Sequence, residues 1–237
     1  MVTEMKKLLV VAVIVAVIIV GIILAVQTRS TAPVSVQNQD TSLVLPTPLH
    51  DSETSVEEAL LERRSVRSYT NGPLTLAEVS QLLWAAQGIT NPGGGCTAPS
   101  AGALYPLEIY LLSGEVNNLP AGIYHYKPGE RALILVIEGD QRQALYEAAL
   151  SQSAVKDADV VIVITAIYER TTIKYGERGR QYVHIEVGSI AQNIYLQAVS
   201  LDLGTVFIGA FHDDQVKRLL HLSEDEIPLG IMPVGRK

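Results

Sequence analysis

Three arginines and a serine lie within five residues of this chain, in the order Arg63-Arg64-Ser65-Val66-Arg67. An arginine side chain presents a planar fork of N–H donors that matches phosphate oxygens in pairs, and a serine hydroxyl adds a short donor. Together these groups suit a terminal phosphomonoester better than a diffuse polyanion. The alternative is a solvated basic helix end, because residues 55–62 read as a short helix and cations are favourable in a last turn.

A second cluster lies in the second half of the chain, where Lys174 and Tyr175 precede Gly176. A lysine whose pKa is lowered by desolvation or by neighbouring cations can accept a proton, and a tyrosine can relay one. The alternative is an exposed loop of mixed charge over residues 172–180. Spacing alone does not decide between an acid/base pair and such a loop.

Several classes of chemistry are disfavoured by what the chain lacks. No Gly-x-Ser-x-Gly elbow, P-loop or Rossmann glycine fingerprint is present, and the five histidines are not paired at metal-ligand spacing, so we expect no metal site. The formal net charge of −7 argues against nucleic-acid binding, which needs a broad basic face. Cys96 is the only cysteine, so an intrachain disulfide is impossible.

The N-terminal segment predicts membrane attachment. Residues 8–26 are an unbroken run of Leu, Val, Ile, Ala and one Gly, long enough to cross a hydrocarbon core of about 30 Å. The run is longer than the apolar region of a cleaved signal peptide, which favours a single-pass signal anchor. Lys6 and Lys7 precede it, and the positive-inside rule then places the domain outside the cytoplasm. The expected organisation is an anchor over 1–27, a flexible tether over 28–54 and a folded domain over 55–237.

Apolar spacing predicts alternating helices and strands across the domain. The capping box Thr75-Leu76-Ala77-Glu78 begins a helix, and a long, largely buried helix over residues 179–201 is predicted as the spine. The β-branched run 160–164 predicts a central strand that is buried on both faces. Further predicted strands are 107–112, 122–126, 133–137, 205–210 and 229–234. The pattern predicts an α+β fold with a mixed sheet flanked by helices.

Four segments follow one another in a characteristic order along residues 56–237. They are Arg63-Arg64-Ser65-Val66-Arg67-Ser68-Tyr69, Pro99-Ser100-Ala101-Gly102-Ala103-Leu104-Tyr105-Pro106-Leu107-Glu108, Lys174-Tyr175-Gly176 leading into Gly188-Ser189-Ile190-Ala191-Gln192-Asn193, and Leu203-Gly204-Thr205-Val206-Phe207-Ile208-Gly209-Ala210-Phe211. In this order and spacing the domain resembles the nitroreductase-like flavoprotein superfamily. It is most similar to the SagB-type dehydrogenases, which oxidise azoline rings in modified peptides. The resemblance implies a nitroreductase-like fold and an intertwined homodimer with FMN at the subunit interface.

The resemblance also implies a phosphate site. Arg63, Ser65 and Arg67 are expected to hold the FMN phosphate and ribityl chain. Arg64 is expected to lie nearby, and Arg236 is expected to close the site from the C-terminus.

Further roles follow for the flavin ring. The loop Pro99-Ser100-Ala101-Gly102 is expected to reach the flavin from the partner subunit. Ile208 and Gly209 are expected to lie against the isoalloxazine near N5, where a backbone N–H can tune the ring. Lys174 and Tyr175 match the pair with which azoline dehydrogenases abstract a proton while the flavin takes hydride.

The resemblance thus implies an FMN-dependent oxidoreductase that moves hydride between flavin N5 and a small organic or peptide-heterocycle substrate. Two alternatives stay open: an NAD(P)H-dependent nitro or quinone reductase, and an FMN-binding module without turnover. Expected partners are a second copy of the chain, a small-molecule or peptide substrate, the membrane through the N-terminal helix, and NAD(P)H in the reductase alternative.

Overall fold

A seven-stranded sheet organises residues 42–70 and 72–237, which are the residues described by the computed structural model. The strands in chain order are β1 Ser42–Val44, β2 Leu74–Thr75, β3 Leu107–Ser113, β4 Val116–Asn117, β5 Gly122–Lys127, β6 Ala132–Glu138, β7 Val160–Ile167, β8 Leu203–Thr205 and β9 Glu226–Arg236. The helices are α1 Val56–Glu62, α2 Leu76–Gln87, α3 Arg142–Ala148, α4 Ser153–Asp157, α5 Glu169–Tyr175, α6 Arg178–Ser200 and α7 Asp213–Leu219. The main sheet has the order β1-β6-β5-β3-β7-β9-β8, and β2 pairs with β4.

Strand β7 confirms the predicted central strand. It lies between β3 and β9 and pairs antiparallel with both. Val161 and Val163 pack into the core on one face of the sheet, and Ile162 and Ile164 pack into the core on the other. A β-branched run without polar interruption suits this position because alternate side chains point to opposite faces.

Helices cover both faces of the sheet, as predicted for an α+β fold with a sheet flanked by helices. The long helix α6 packs with α2 on one face, and α3, α4 and α7 pack on the other. Helix α6 spans Arg178–Ser200, so the predicted spine over 179–201 is confirmed. Its buried apolar residues are Val183, Val187, Ile190, Ala191, Ile194 and Ala198.

The arginine segment lies along the β8 edge of this sheet. The Val66 N–H donates to the Thr205 carbonyl at 2.9 Å, and Ser65 forms a parallel bridge with Thr205. Further along, Thr70 forms an antiparallel bridge with Arg236 of β9. Neighbouring strands of the seven-stranded sheet all run antiparallel. Parallel pairing comes from the Ser65–Thr205 bridge at its edge and from the β2–β4 pair, which give the structure its mixed character.

The predicted capping box at the start of α2 is confirmed. The Glu78 N–H donates to the Thr75 hydroxyl at 3.2 Å, and the Thr75 N–H donates to the Glu78 carboxylate at 2.7 Å. These two bonds satisfy N–H groups that the first helical turn leaves without partners.

Two elements differ from the sequence prediction. The strand predicted over 205–210 is observed as β8 over Leu203–Thr205. Beyond it, the Phe207 N–H donates to the Tyr195 hydroxyl instead of to a neighbouring strand, and Ile208 pairs with Ile231 of β9 only as an isolated bridge. Residues 42–44, expected in the tether, form an edge strand on β6, and Leu45 is buried behind it. A strand of three residues is too short to produce a periodic signal in the sequence.

The membrane-anchored, extracytoplasmic localisation expected from the sequence is corrected here. No helix in residues 42–70 and 72–237 is long and apolar enough to span a bilayer. The predicted span over 8–26 and the start of the tether lie outside the described residues.

Candidate functional site

The arginine segment meets a tyrosine of the long helix. The guanidinium carbon of Arg63 lies 5.2 Å from the centre of the Tyr195 ring, within the range of a cation–π contact. The Ser65 hydroxyl oxygen lies 3.1 Å from that of Tyr195. In an extended segment, residues two apart share a side. Arg63 and Ser65 therefore present a cation and a hydroxyl on the same side.

The other two arginines of the segment are placed differently. The Arg64 guanidinium donates to the Leu61 carbonyl at 2.9 Å and to the Arg63 carbonyl at 2.8 Å, so it caps the end of α1. Arg67 is exposed. Within the described part of the chain, neither Arg63 nor Arg67 forms an ion pair with a carboxylate. Arg63 and Arg67 thus retain the charged donors that an anion would need.

Arg236 reaches the same edge of the sheet from the C-terminus. Its guanidinium forms a bidentate ion pair with Glu78, with N–O distances of 2.8 and 3.0 Å. Burial opposes ionisation of Glu78, but hydrogen bonds from Arg236 and Thr75 lower the pKa of this carboxyl. A phosphate at the arginine segment would therefore have to compete with Glu78 for the fork of Arg236.

Ile208 and Gly209, which are predicted to lie against a flavin ring, adjoin the arginine segment. The Ile208 N–H donates to the Ile231 carbonyl at 2.8 Å, and Ile208 is buried. Gly209 is exposed, and its N–H has no hydrogen-bond partner among the residues that the structure describes. Of the predicted pair, Gly209 has the free N–H. Tyr195 joins this segment to Ser65, because it accepts the Phe207 N–H at 2.7 Å.

The structure brings the predicted acid/base pair to the predicted flavin loop. A Cβ atom at Gly102 would lie 2.8 Å from the Tyr175 hydroxyl oxygen and 2.9 Å from Lys174 Nζ. Gly102 has φ +66°, so a glycine is favoured by backbone conformation as well as by this close approach. Lys174 and Tyr175 form the last turn of α5, and the exposed Lys174 amine lies 5.3 Å from the centre of the Tyr175 ring.

Hydrogen bonds between its own residues hold the loop in place. The Tyr105 N–H donates to the Ser100 hydroxyl at 2.9 Å, and the Cys96 N–H donates to the Tyr105 hydroxyl at 3.2 Å. Pro99 is exposed and Ala101 begins a short 3₁₀ turn. Ala103 and Tyr105 have positive φ, a conformation that costs energy outside glycine and that these bonds stabilise.

A buried carboxyl group lies beneath this loop. Glu186 of α6 is 3% exposed. Burial raises its pKa to about 7, and a hydrogen bond with the Ser100 hydroxyl partly offsets that rise. A carboxyl whose pKa lies near neutrality can be protonated or charged under ordinary conditions.

The candidate residues form two groups. The first group is the arginine segment with Ile208 and Gly209, and the second is the loop of Ser100 with Lys174 and Tyr175. The two groups contact α6 at different levels. Tyr195 contacts the arginine segment, whereas Glu186 contacts the loop of Ser100. These positions are nine residues apart, which corresponds to about 13 to 14 Å along a helix axis. Within one chain, the predicted phosphate ligands and the predicted flavin loop are therefore separated along the helix.

A model of the nitroreductase family matches residues 60–236. The chain belongs to the nitroreductase family. The similarity to SagB-type enzymes is also confirmed, because its relatives include the microcin B17-processing protein McbC of Escherichia coli, which is 30% identical over 170 residues. That alignment covers 68% of this chain and 62% of McbC, so the chain spans less than two thirds of that relative.

Two further proteins support this nitroreductase-family assignment. MJ1384 of Methanocaldococcus jannaschii is 48% identical over 185 residues, which cover 78% of this chain and 92% of MJ1384. A chain in the solved E. coli microcin synthetase complex McbBCD, with truncated pro-MccB17 bound, has the same fold with a TM-score of 0.64. It is 26% identical, and the match covers 88% of this chain and 83% of that chain. The chain is thus a nitroreductase-family oxidoreductase.

The residues of the first group fit the FMN that the family implies. The charged donors of Arg63 and Arg67 and the exposed Ser65 hydroxyl are available for a phosphate. Gly209 has no side chain of its own, so its exposed N–H permits close approach of a flat ring. The Arg236–Glu78 ion pair is the feature that an FMN phosphate would have to share or displace.

Sequence reasoning missed two residues that organise the site. Glu186 could have been found, because its spacing from Val183, Val187 and Ile190 places a carboxylate on the buried face of the helix. Tyr195 has no comparable signal, because a tyrosine beside apolar residues is common in helices that pack on a core. Its part in the site follows only from its contacts with Ser65 and Phe207.

Proposed function

We propose that this chain is an FMN-dependent oxidoreductase that transfers hydride between flavin N5 and a small organic or peptide-heterocycle substrate. The observation that carries the proposal is the convergence at Gly102. The two side chains predicted to move a proton, Lys174 and Tyr175, reach the loop predicted to meet the flavin. The relationship to McbC, a microcin B17-processing protein by name, favours oxidation of a carbon substrate within the family.

In this proposal the first group of residues binds the cofactor. Arg63, Ser65 and Arg67 hold the terminal phosphate with charge-assisted hydrogen bonds, and the Gly209 N–H faces the ring. FMN supplies the hydride acceptor. Ile208 supports the ring from the sheet, since its own N–H is bonded to β9.

The second group handles the proton. When a substrate C–H bond loses hydride, a proton must leave the neighbouring atom for the new double bond to form. In this proposal Lys174 accepts that proton at Nζ, and the Tyr175 hydroxyl relays it.

The separation of the two groups along α6 favours a site built from two chains. The arginine segment of one subunit would then face the Gly102 loop and Lys174 of its partner. Helix α1 leaves Val56, Leu60 and Leu61 each more than half exposed, and an apolar patch of this kind is typical of an interface. A groove of about 580 Å³ between α1, α2 and α6 adjoins it.

Flavin binding is the direct test of the proposed function. The purified full chain should show flavin absorbance and release FMN on denaturation. An Arg63→Met/Arg67→Met double variant should lose that absorbance, because it lacks two charged phosphate donors. The matched control is Arg218→Met, an exposed arginine of α7, which should bind FMN like the wild type. A wild-type chain that is colourless and does not bind added FMN would overturn the proposal.

A second function, reduction of nitro or quinone compounds by NAD(P)H, is favoured by the family to which the chain belongs. The two functions are distinguished by the reductant. Rapid bleaching of bound FMN by NAD(P)H, followed by reoxidation with a nitro compound or a quinone, would support the reductase. Bleaching by a heterocyclic substrate and not by NAD(P)H would support the dehydrogenase. Flavin that no reductant bleaches would indicate an FMN-binding module without turnover.

A further inference from the structure

A network of charges joins three elements beneath the loop of residues 99–105. The Arg170 guanidinium of α5 lies 2.6 Å from one Glu108 carboxylate oxygen, and His125 Nε2 lies 2.7 Å from the other. Arg170 also donates to the Tyr105 carbonyl at 3.1 Å. Lys127 Nζ lies 3.4 Å from His125 Nε2 and completes the network. Arg170 is therefore the one member of this network that contacts both a strand of the sheet and the loop.

Glu108 is held firmly within this network. It lies on β3, and its side chain is 17% exposed. Tyr110, two residues further along β3, stacks on His125 with 4.5 Å between ring centres. Glu108 and His125 are therefore diagonal neighbours on one face of adjacent strands. The carboxylate is fixed by the sheet, so it provides a rigid anchor for Arg170.

Helix α5 buries few of its own side chains. Thr171 is its only buried residue, and the Thr171 hydroxyl has no hydrogen-bond partner among the described residues. Ile173 is 79% exposed and Lys174 is also exposed. A short helix with one buried side chain gains little stability from packing or from its own hydrogen bonds. Its orientation is therefore set by contacts with neighbouring elements, namely the backbone of α6 at Gly179 and the side-chain contacts of Arg170.

We propose that Arg170 is a positioning residue for Lys174 and Tyr175. It ties α5 to β3 through Glu108 and to the loop through the Tyr105 carbonyl, and so sets the approach of Lys174 and Tyr175 to Gly102. Arg170 and Lys174 are four residues apart and lie on the same face of the helix. The positioning is a property of the folded chain, whereas its consequence for turnover rests on the proposed function.

The test compares Arg170→Met and Glu108→Gln with the wild-type full chain. Arg170→Met keeps an unbranched apolar stem but removes both contacts, and Glu108→Gln keeps the shape of the anchor but removes its charge. Amide hydrogen exchange over residues 169–176 should be about tenfold faster in both variants, since α5 would open locally more often. In Arg170→Met, exchange in β3 and β7 should stay close to that of the wild type, because these core strands exchange only on global unfolding. Arg218→Met is the matched control and should leave α5 exchange unchanged.

Kinetics and FMN affinity separate positioning from a general loss of structure. With a substrate that the wild type turns over, kcat should fall by about tenfold or more in Arg170→Met, because a small misplacement of a reacting group is costly. KM and the affinity for FMN should stay within about twofold of wild type, since the arginine segment is untouched. Unchanged α5 exchange in both variants would overturn the proposal. Failure of the wild type to bind FMN would overturn the proposed function and would leave the exchange result standing.

Discussion

Two glutamates, the partly buried Glu108 and the buried Glu186, show how strongly the neighbours of a residue decide its chemistry. Burial opposes ionisation of Glu108, but hydrogen bonds from His125 and Arg170 lower its pKa to about 2. Burial also raises the pKa of Glu186, here to about 7, because the Ser100 hydroxyl provides only a small opposing effect. The same side chain is thus a permanent anion in one place and a titrating group in the other.

The raised pKa of Glu186 predicts a stability that falls as the pH rises. Its pKa is about 7 in the folded chain and near its usual 4.5 in the unfolded chain, so ionisation between these values disfavours folding. Glu186→Gln should match the wild type near pH 4 and exceed it near pH 8, by a free energy of unfolding of at most about 3 kcal/mol. Urea denaturation at both pH values checks this.

Glu108→Gln is the matched comparison. The lowered pKa of Glu108 gives stability that is present above about pH 4.5 and is lost as the pH falls towards 2. This variant should therefore be less stable than the wild type near pH 8, the opposite of Glu186→Gln. Equal pH dependence in all three proteins would contradict both assignments.

Lys174 is expected to matter for turnover and not for cofactor binding. Lys174→Ala should lower kcat by about 10² to 10⁴-fold, the usual contribution of a general base, with FMN affinity unchanged. Steady-state kinetics with a flavin titration measures both quantities. Lys156→Ala, an exposed lysine of α4, is the control. Normal turnover in Lys174→Ala would remove this lysine from the proposed chemistry.

At the scale of elements, the contact between α5 and α6 leaves no room for an added side chain. Gly179, in the first turn of α6, lies against the backbone of α5. A Cβ there would lie 3.0 Å from Thr172 Cα and 3.1 Å from the Thr171 carbonyl oxygen. Backbone atoms cannot rotate away as a side chain can. The absence of a side chain at residue 179 therefore lets the helix that presents Lys174 pack against the spine of the domain.

Gly179→Ala should separate the two helices and destabilise the fold by about 1–3 kcal/mol, the usual cost of overpacking. Thermal or urea unfolding measures this loss. Gly188→Ala on the same helix is the matched control, because the chain leaves open space around Gly188. That substitution should stabilise the helix by up to about 1 kcal/mol, since alanine is the better helix former. A similar effect of both substitutions would argue against the tight contact at Gly179.

At the scale of the whole molecule, the proposed site depends on the arrangement of subunits. One chain separates the arginine segment from the Gly102 loop along α6, so a two-chain site predicts complementation. An Arg63→Met/Arg67→Met chain and a Lys174→Ala chain should each be inactive alone. In a mixed dimer, one of the two sites would combine the intact arginine segment of one chain with the intact lysine of the other.

Mixing equal amounts of the two variants under conditions of subunit exchange should restore about one quarter of wild-type turnover, because random pairing makes about half of the dimers mixed. Turnover and size-exclusion chromatography together check this. If each site were built within one chain, every site in the mixture would carry a defect and no activity would return. A monomeric wild-type protein would likewise contradict the two-chain arrangement.

Much of the local structure was predictable, for physical reasons that particular elements illustrate. The capping box at Thr75 and Glu78 involves residues three apart, so its hydrogen bonds follow from local spacing. The β7 run and the buried face of α6 carry strong apolar patterns, and both were predicted close to their bounds. The edge strand Ser42–Val44 and the early end of β8 were not, because each depends on one distant partner, β6 or Tyr195.

The sequence by itself determined which chemical groups the chain carries, most of the segments that form helices and strands, and that arginines, a lysine–tyrosine pair and a glycine-containing loop are available for chemistry. Only the tertiary structure decided how these groups combine. It placed Lys174 against Gly102, paired Arg236 with Glu78 and tied α5 to β3 through Arg170. These contacts join residues far apart in the chain. They depend on strand register and helix orientation, which local patterns of residues do not encode.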